Sequence, residues 1–189
     1  MTGKTTAELR EGDRAELTRT LDQSDIAAFI HAVGDYNPLH SDSAYAATTK
    51  FKAPIAPGIF TAGMISAVIG TELPGPGAVY LSQDLKFLKP VRAGDTITAR
   101  VEIVELVRER NRIRLKTVCT NQRGEEVLAG EAWVRPSPRS LTYDERPVTT
   151  SVLSAALGPW ACAARVIAAW GVIWLCALTA LGRRERSRP

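Results

Sequence analysis

Apolar residues recur along this chain in two rhythms, one of helices and one of strands. Between Asp13 and Leu21 (DRAELTRTL) they alternate loosely with polar ones, which predicts a first strand. Asp22-Gln-Ser-Asp25 then supplies helix-capping residue types ahead of IAAFIHAV, so a helix is expected to end at Gly34. Pro38 stiffens the next six residues by fixing its own φ and pushing Asn37 towards an extended conformation. Ser41, Asp42 and Ser43 can cap a short helix through about Thr48. From Gly58 to Leu73 the sequence GIFTAGMISAVIGTEL carries no charge until Glu72, and its large apolar side chains crowd most of a helical circumference. A helix apolar nearly all round is expected to be buried.

Pro74-Gly-Pro-Gly77 stops that helix, and the remainder reads as strands: AVYLSQDLKFL, DTITARVEIVELV, NRIRLKTVCT and EVLAGEAWVRP. Lys89 to Gly94, Glu109 to Asn111 and Asn121 to Gly124 break them with turn chemistry. One strand, one buried helix and four long antiparallel strands define an α+β class in which a curved sheet wraps a central helix, the arrangement called hot-dog. A lone sheet of this kind leaves an edge and a face to cover, so a homodimer is expected.

Charge changes the picture only by its location. The net charge of +4 invites a nucleic-acid reading, yet residues 1–150 hold 19 basic against 19 acidic residues, and residues 151–189 hold 5 against 1. A neutral body offers no positive surface to phosphates, so no nucleic-acid partner is expected. Cys119, Cys162 and Cys176 are odd in number and lack Cys-x-x-Cys spacing, which suits reduced thiols in a cytoplasmic protein. The opening MTGKTTAELREGD has no apolar run of a secretory signal, in keeping with a cytoplasmic body.

The chemistry concentrates in Asp35-Tyr36-Asn37-Pro38-Leu39-His40, followed by Asp42. This stretch resembles the D-x-N-P-x-H-x-D signature of the MaoC-like (R)-specific enoyl-CoA hydratase and dehydratase family. AATTKF at 46–51, PIAPG at 54–58, LPGPGAVYLSQDLKFLKPV at 73–91 and GDTITARVEI at 94–103 are similar to the same family in the same order, so the resemblance covers residues 10–135. It implies that Asp35 and His40 are the catalytic pair. Hydration of an enoyl thioester needs one water from which a base takes a proton while the oxygen attacks C3. A carboxylate at a helix end and an imidazole five residues later can converge on that water. Asp35 is expected to be the principal base, with His40 positioning the water and helping to shuttle the second proton.

An oxyanion forming on the thioester needs a donor, and the backbone N–H of Gly58 at the start of the uncharged helix suits it. The residue before this glycine is often His in the family and is Pro57 here. Asn37 and Ser66 are given supporting roles, Ser66 because the family has a serine there; close packing explains that serine equally well. His31, inside a helix with no partner motif, reads as structural. Arg108, Arg110, Arg112 and Arg114 read as a solvated strand face around a turn, with phosphates of coenzyme A or an acidic carrier protein as the alternative. Asp84, Lys86 and Lys89 read as surface alternation.

The expected activity is (R)-specific hydration of trans-2-enoyl-CoA, reversible as dehydration, with the coenzyme A thioester as substrate and no metal or redox cofactor. The rivals are a 3-hydroxyacyl-ACP dehydratase of fatty-acid synthesis, taking an acyl-carrier-protein thioester, and a non-catalytic hot-dog thioester-binding subunit. A hot-dog thioesterase would carry its carboxylate on the central helix, and Gly58 to Thr71 contains no Asp or Glu.

Domain organisation is read as a hydratase domain over 1–139, a linker over 140–159 and a hydrophobic helix with a basic end over 160–189. Val166 to Gly182 is 17 uncharged residues. As a helix it reaches about 25 Å, short of a hydrocarbon core of about 30 Å. The arginines after it would prefer the cytoplasmic side, in conflict with a cytoplasmic body on a single span. Three readings stand: membrane contact through 160–182, docking on the body or a partner, or an extension beyond the family's usual end near Pro138. The first is preferred.

Overall fold

The computed structural model describes residues 1–144. The order is β1 (Thr2–Gly3), β2 (Arg14–Thr20), α1 (Gln23–Val33), a 3₁₀ turn (Pro38–His40), α2 (Ser43–Thr48), α3 (Gly58–Thr71), β3 (Val79–Phe87), β4 (Thr96–Val107), a 3₁₀ turn (Arg108–Arg110), β5 (Arg112–Thr120), β6 (Glu126–Arg135) and β7 (Leu141–Thr142). Five strands form an antiparallel sheet in the order β2-β4-β5-β6-β3. β3 therefore pairs with β6, the last long strand, and forms one edge of the sheet; β2 forms the other.

Alternation explains the inner face. Ile97, Ala99, Val101 and Ile103 of β4, with Ile113, Leu115, Thr117 and Cys119 of β5, are buried, while the residues between them face outward or lie half-covered. Met64, Ile65, Val68 and Ile69 of α3 pack into the same core. Each fully buried Ile or Leu in such a core contributes about 1.5 to 3 kcal/mol from lost water contact.

α3 is not buried all round, contrary to the expectation from its composition. Ile59 is 59% exposed, and Gly63, Ser66 and Gly70 also face outward. Their spacing puts them on one stripe of the helix. A five-stranded sheet closes around one side only, and the described residues leave the opposite stripe of small and apolar residues open.

The body also extends past its expected end at residue 139. Leu141 and Thr142 pair with Gly3 and Thr2, and Tyr143 N–H donates to the Met1 carbonyl at 2.9 Å. The rest of the expected linker and the helix expected over 160–189 lie outside the described residues.

Candidate active site

The site begins with how α1 ends. Asp22 and Asp25 form a reciprocal capping box at its start, and Gly34 ends it at φ 74°, a left-handed conformation that glycine adopts without a Cβ penalty. Ile26 and Ile30 are buried, and Phe29 stacks on Phe60 of α3 with ring centroids 5.2 Å apart. The Asp35 N–H donates back to the Ile30 carbonyl at 3.1 Å. Asp35 is thus fixed to the end of a helix that is itself pressed onto α3.

The following loop is shaped by its own polar groups. Asn37 Oδ1 accepts from Leu39 N–H at 3.1 Å, and the Asn37 carbonyl accepts from His40 N–H at 3.0 Å. Asn37 is exposed and its role is to shape the turn. Asp42 caps α2 through the amides of Ala44 and Tyr45.

These constraints bring Asp35 Oδ2 to 3.5 Å from His40 Nε2. The two side chains differ in setting, His40 being 10% and Asp35 42% exposed. The other imidazole nitrogen, Nδ1, lies 2.8 Å from the Ile55 carbonyl, an acceptor only, so Nδ1 carries the proton. In the neutral ring this leaves the Nε2 lone pair facing the carboxylate. Two acceptors at this separation can share the two hydrogens of one water placed at the apex between them.

His40 lines a cleft of about 380 Å³ that also touches Lys50, Phe51, Gly58, Phe87 and Lys89. Asp35, Asn37 and Ser66 are not among its lining residues; Asp35 adjoins it through His40, and Ser66 lies on the exposed stripe of α3. Pro57 gives α3 no side-chain cap, and the Gly58 amide has no protein acceptor among the described residues. The glycine also has a packing reason: a Cβ built there would lie 2.6 Å from Cε1 of Phe87. In this conformation the Phe87 ring, rather than open space, stands over Gly58.

Lys89 lines the cleft and pairs with Glu125 at 2.6 Å. Hydrogen bonds from Asn121, then Lys89 and Arg123, hold the Glu125 carboxyl down at about 2. The arginine run follows its surface reading. Arg108 donates to the Thr6 and Leu9 carbonyls, and Arg114 pairs with Glu105 and Glu131. His31 is exposed on α1, its Nδ1 3.2 Å from the Tyr36 hydroxyl. Sequence reasoning missed the Ile55 carbonyl, Phe87 and the cleft position of Lys89. A main-chain acceptor leaves no mark in residue type, and the β3 edge became adjacent to Gly58 only through the sheet order.

A helix wrapped by an antiparallel sheet, with a carboxylate and an imidazole beside a cleft at the helix start, defines a hot-dog hydro-lyase. The MaoC-like domain family matches residues 4–125, and the chain belongs to that family. It is 49% identical over 127 residues to an (R)-specific enoyl-CoA hydratase of Rhodospirillum rubrum, covering 67% of this chain and 88% of that protein. It is 51% identical over 120 residues to a 3-hydroxybutyryl-CoA dehydratase of Methylorubrum extorquens, covering 63% and 75%. Among solved structures, an unliganded R-hydratase of Pseudomonas aeruginosa matches with TM-score 0.70 and 40% identity, covering 78% of this chain and 97% of that one.

Proposed function

We propose that this protein is an (R)-specific enoyl-CoA hydratase, a hydro-lyase that adds water to trans-2-enoyl-CoA and runs in reverse as a 3-hydroxyacyl-CoA dehydratase. The observation that carries the reading is the 3.5 Å approach of Asp35 Oδ2 to His40 Nε2 beside a cleft that Gly58 also lines. Hydratase and dehydratase relatives at about half identity over most of their length support the same chemistry.

In this scheme a water donates one hydrogen to Asp35 and the other to the bare Nε2 of His40. Asp35 takes the first proton as the water oxygen bonds to C3, and the C2–C3 π electrons move towards the thioester oxygen. The Gly58 N–H, at the positive end of α3, donates to that oxygen once Phe87 yields its place. The proton taken from water then passes to C2 from the same side, directly from Asp35 or through His40. Water and thioester balance the reaction, so we assign no metal or redox cofactor.

A homodimer fits the surface left open. β3 is a sheet edge with exposed Val79, Leu81 and Phe87, and the α3 stripe through Ile59 is uncovered. Sedimentation at twice the chain mass is the expected result. We place the body in the cytoplasm on its cysteine usage, odd in number and without Cys-x-x-Cys spacing.

The test is hydration of crotonyl-CoA, followed by loss of enone absorbance and chiral analysis of the product. An (R)-3-hydroxy product supports the assignment; no turnover, or an (S) product, overturns it. Faster turnover of a carrier-protein thioester than of the CoA ester would move the protein to the fatty-acid-synthesis dehydratases.

A further inference from the structure

We infer that Arg92 is a positioning residue for catalysis, acting through the Ile55 carbonyl to hold the His40 imidazole in its Nδ1–H tautomer; this rests on the hydratase reading of Asp35 and His40.

The segment between α2 and α3 has no regular structure from Lys52 to Pro57, so its carbonyls have no ladder to join. Arg92 supplies their partners. Its Nη1 donates to the Ala53 and Pro54 carbonyls at 3.0 and 3.1 Å, and its Nη2 donates to the Phe51 carbonyl at 2.7 Å. A planar guanidinium fits this task because its donors form a fixed fork. Arg92 is itself fixed: its backbone N–H donates to Asp95 Oδ2 at 2.8 Å, and the neighbouring Val91 carbonyl accepts from Ala56 N–H at 2.7 Å.

Ile55 sits between these anchors. Phe51, Ala53 and Pro54 are tied to Arg92 on one side and Ala56 to Val91 on the other, while Ile55 N–H donates to the Leu39 carbonyl at 3.3 Å. The Ile55–Ala56 peptide, its own N–H held by the Val91 carbonyl and the chain before it held by Arg92, is thereby aimed, and its carbonyl takes the His40 Nδ1–H at 2.8 Å. A carbonyl cannot donate, so this contact selects the tautomer. Without it the ring could carry its proton on Nε2, pointing a second donor at the place where the water must offer its own hydrogen. Arg92 touches neither Asp35 nor His40 and does not line the cleft.

The experiment uses the full-length enzyme labelled with ¹⁵N-histidine. The chain has two histidines, and His31→Gln assigns their signals. Wild type is expected to show His40 in the Nδ1–H form at neutral pH, and Arg92→Met to show a mixture of tautomers. On crotonyl-CoA, Arg92→Met is expected to lower kcat by about 10- to 100-fold with little change in KM, the scale of a small misplacement of a catalytic group. Arg92→Lys, which keeps fewer donors, should fall between. A wild-type His40 in the Nε2–H form overturns the inference whether or not any variant folds. So does a folded Arg92→Met with wild-type kcat and tautomer. Failure of the underlying reading looks different: full activity in Asp35→Asn or His40→Ala removes the catalytic pair, whatever Arg92 does.

Discussion

The Asp35 carboxylate stands 3.5 Å from His40 Nε2, yet the two side chains are held in opposite ways. His40 is buried and locked at Nδ1, while Asp35 has its carboxylate partly open to solvent. That asymmetry suits one group that orients water and one that exchanges protons with it. Asp35→Asn keeps the shape but removes the base, and His40→Ala removes the second acceptor. Each is expected to lower crotonyl-CoA hydration by at least about 10²-fold, the lower range for losing an acid–base group. Neither should alter the circular dichroism spectrum, because neither side chain joins the core sheet.

All the groups assigned to chemistry lie between Asp35 and Arg92, and the sheet that supports them is complete by Arg135. β7 adds a tie between Leu141–Thr142 and Thr2–Gly3. A chain from which residues 150–189 are removed keeps that tie, and its kcat and KM should match those of the full chain in the same assay. Loss of activity on this truncation would make the C-terminal segment part of the working enzyme.

Much of this architecture was legible because local signals agreed with the tertiary result. Asp22 and Gly34 bound α1 as their capping chemistry predicts, and alternation located the four long strands. The catalytic loop was legible for a different reason, the resemblance of Asp35 to Asp42 to a known signature. The rest depends on long-range pairing. Nothing local to β3 says that it joins β6, so the seat of Phe87 over Gly58 could not be read. Ser66 was expected near the site and lies on an exposed stripe, because helical spacing fixes a residue's face but not what covers it.

A buried thiol and a half-buried phenol make stability fall in alkali. Burial pushes the Cys119 thiol from 9.0 up to about 12, and burial with the nearby Cys119 pushes Tyr80 from 10.0 up to about 12. From about pH 9 the unfolded chain begins to lose these protons while the folded chain keeps them. Stability is therefore full below that pH and declines towards pH 12, by at most about 1.4 kcal/mol per pH unit for each proton. Thermal melts from pH 7 upward should show Tm falling above pH 9, with a shallower slope in Cys119→Ala. An unchanged slope would remove Cys119 from the account.

Gly58 has two reasons to be glycine, and a pair of substitutions separates them. A Cβ at this position would lie 2.6 Å from the Phe87 ring, so Gly58→Ala forces the ring to move and should lower Tm. Phe87 is 54% exposed, and Phe87→Leu in the same chain removes the collision at little cost to the core. If packing were the whole reason, the double variant would recover both Tm and activity. Gly58, however, lines the cleft at the uncapped start of α3, and the proposed mechanism brings a thioester oxygen to its amide. The double variant is therefore expected to regain Tm while its kcat stays near that of Gly58→Ala. Full recovery of kcat would take the oxyanion role away from Gly58 and leave it as a seat for Phe87.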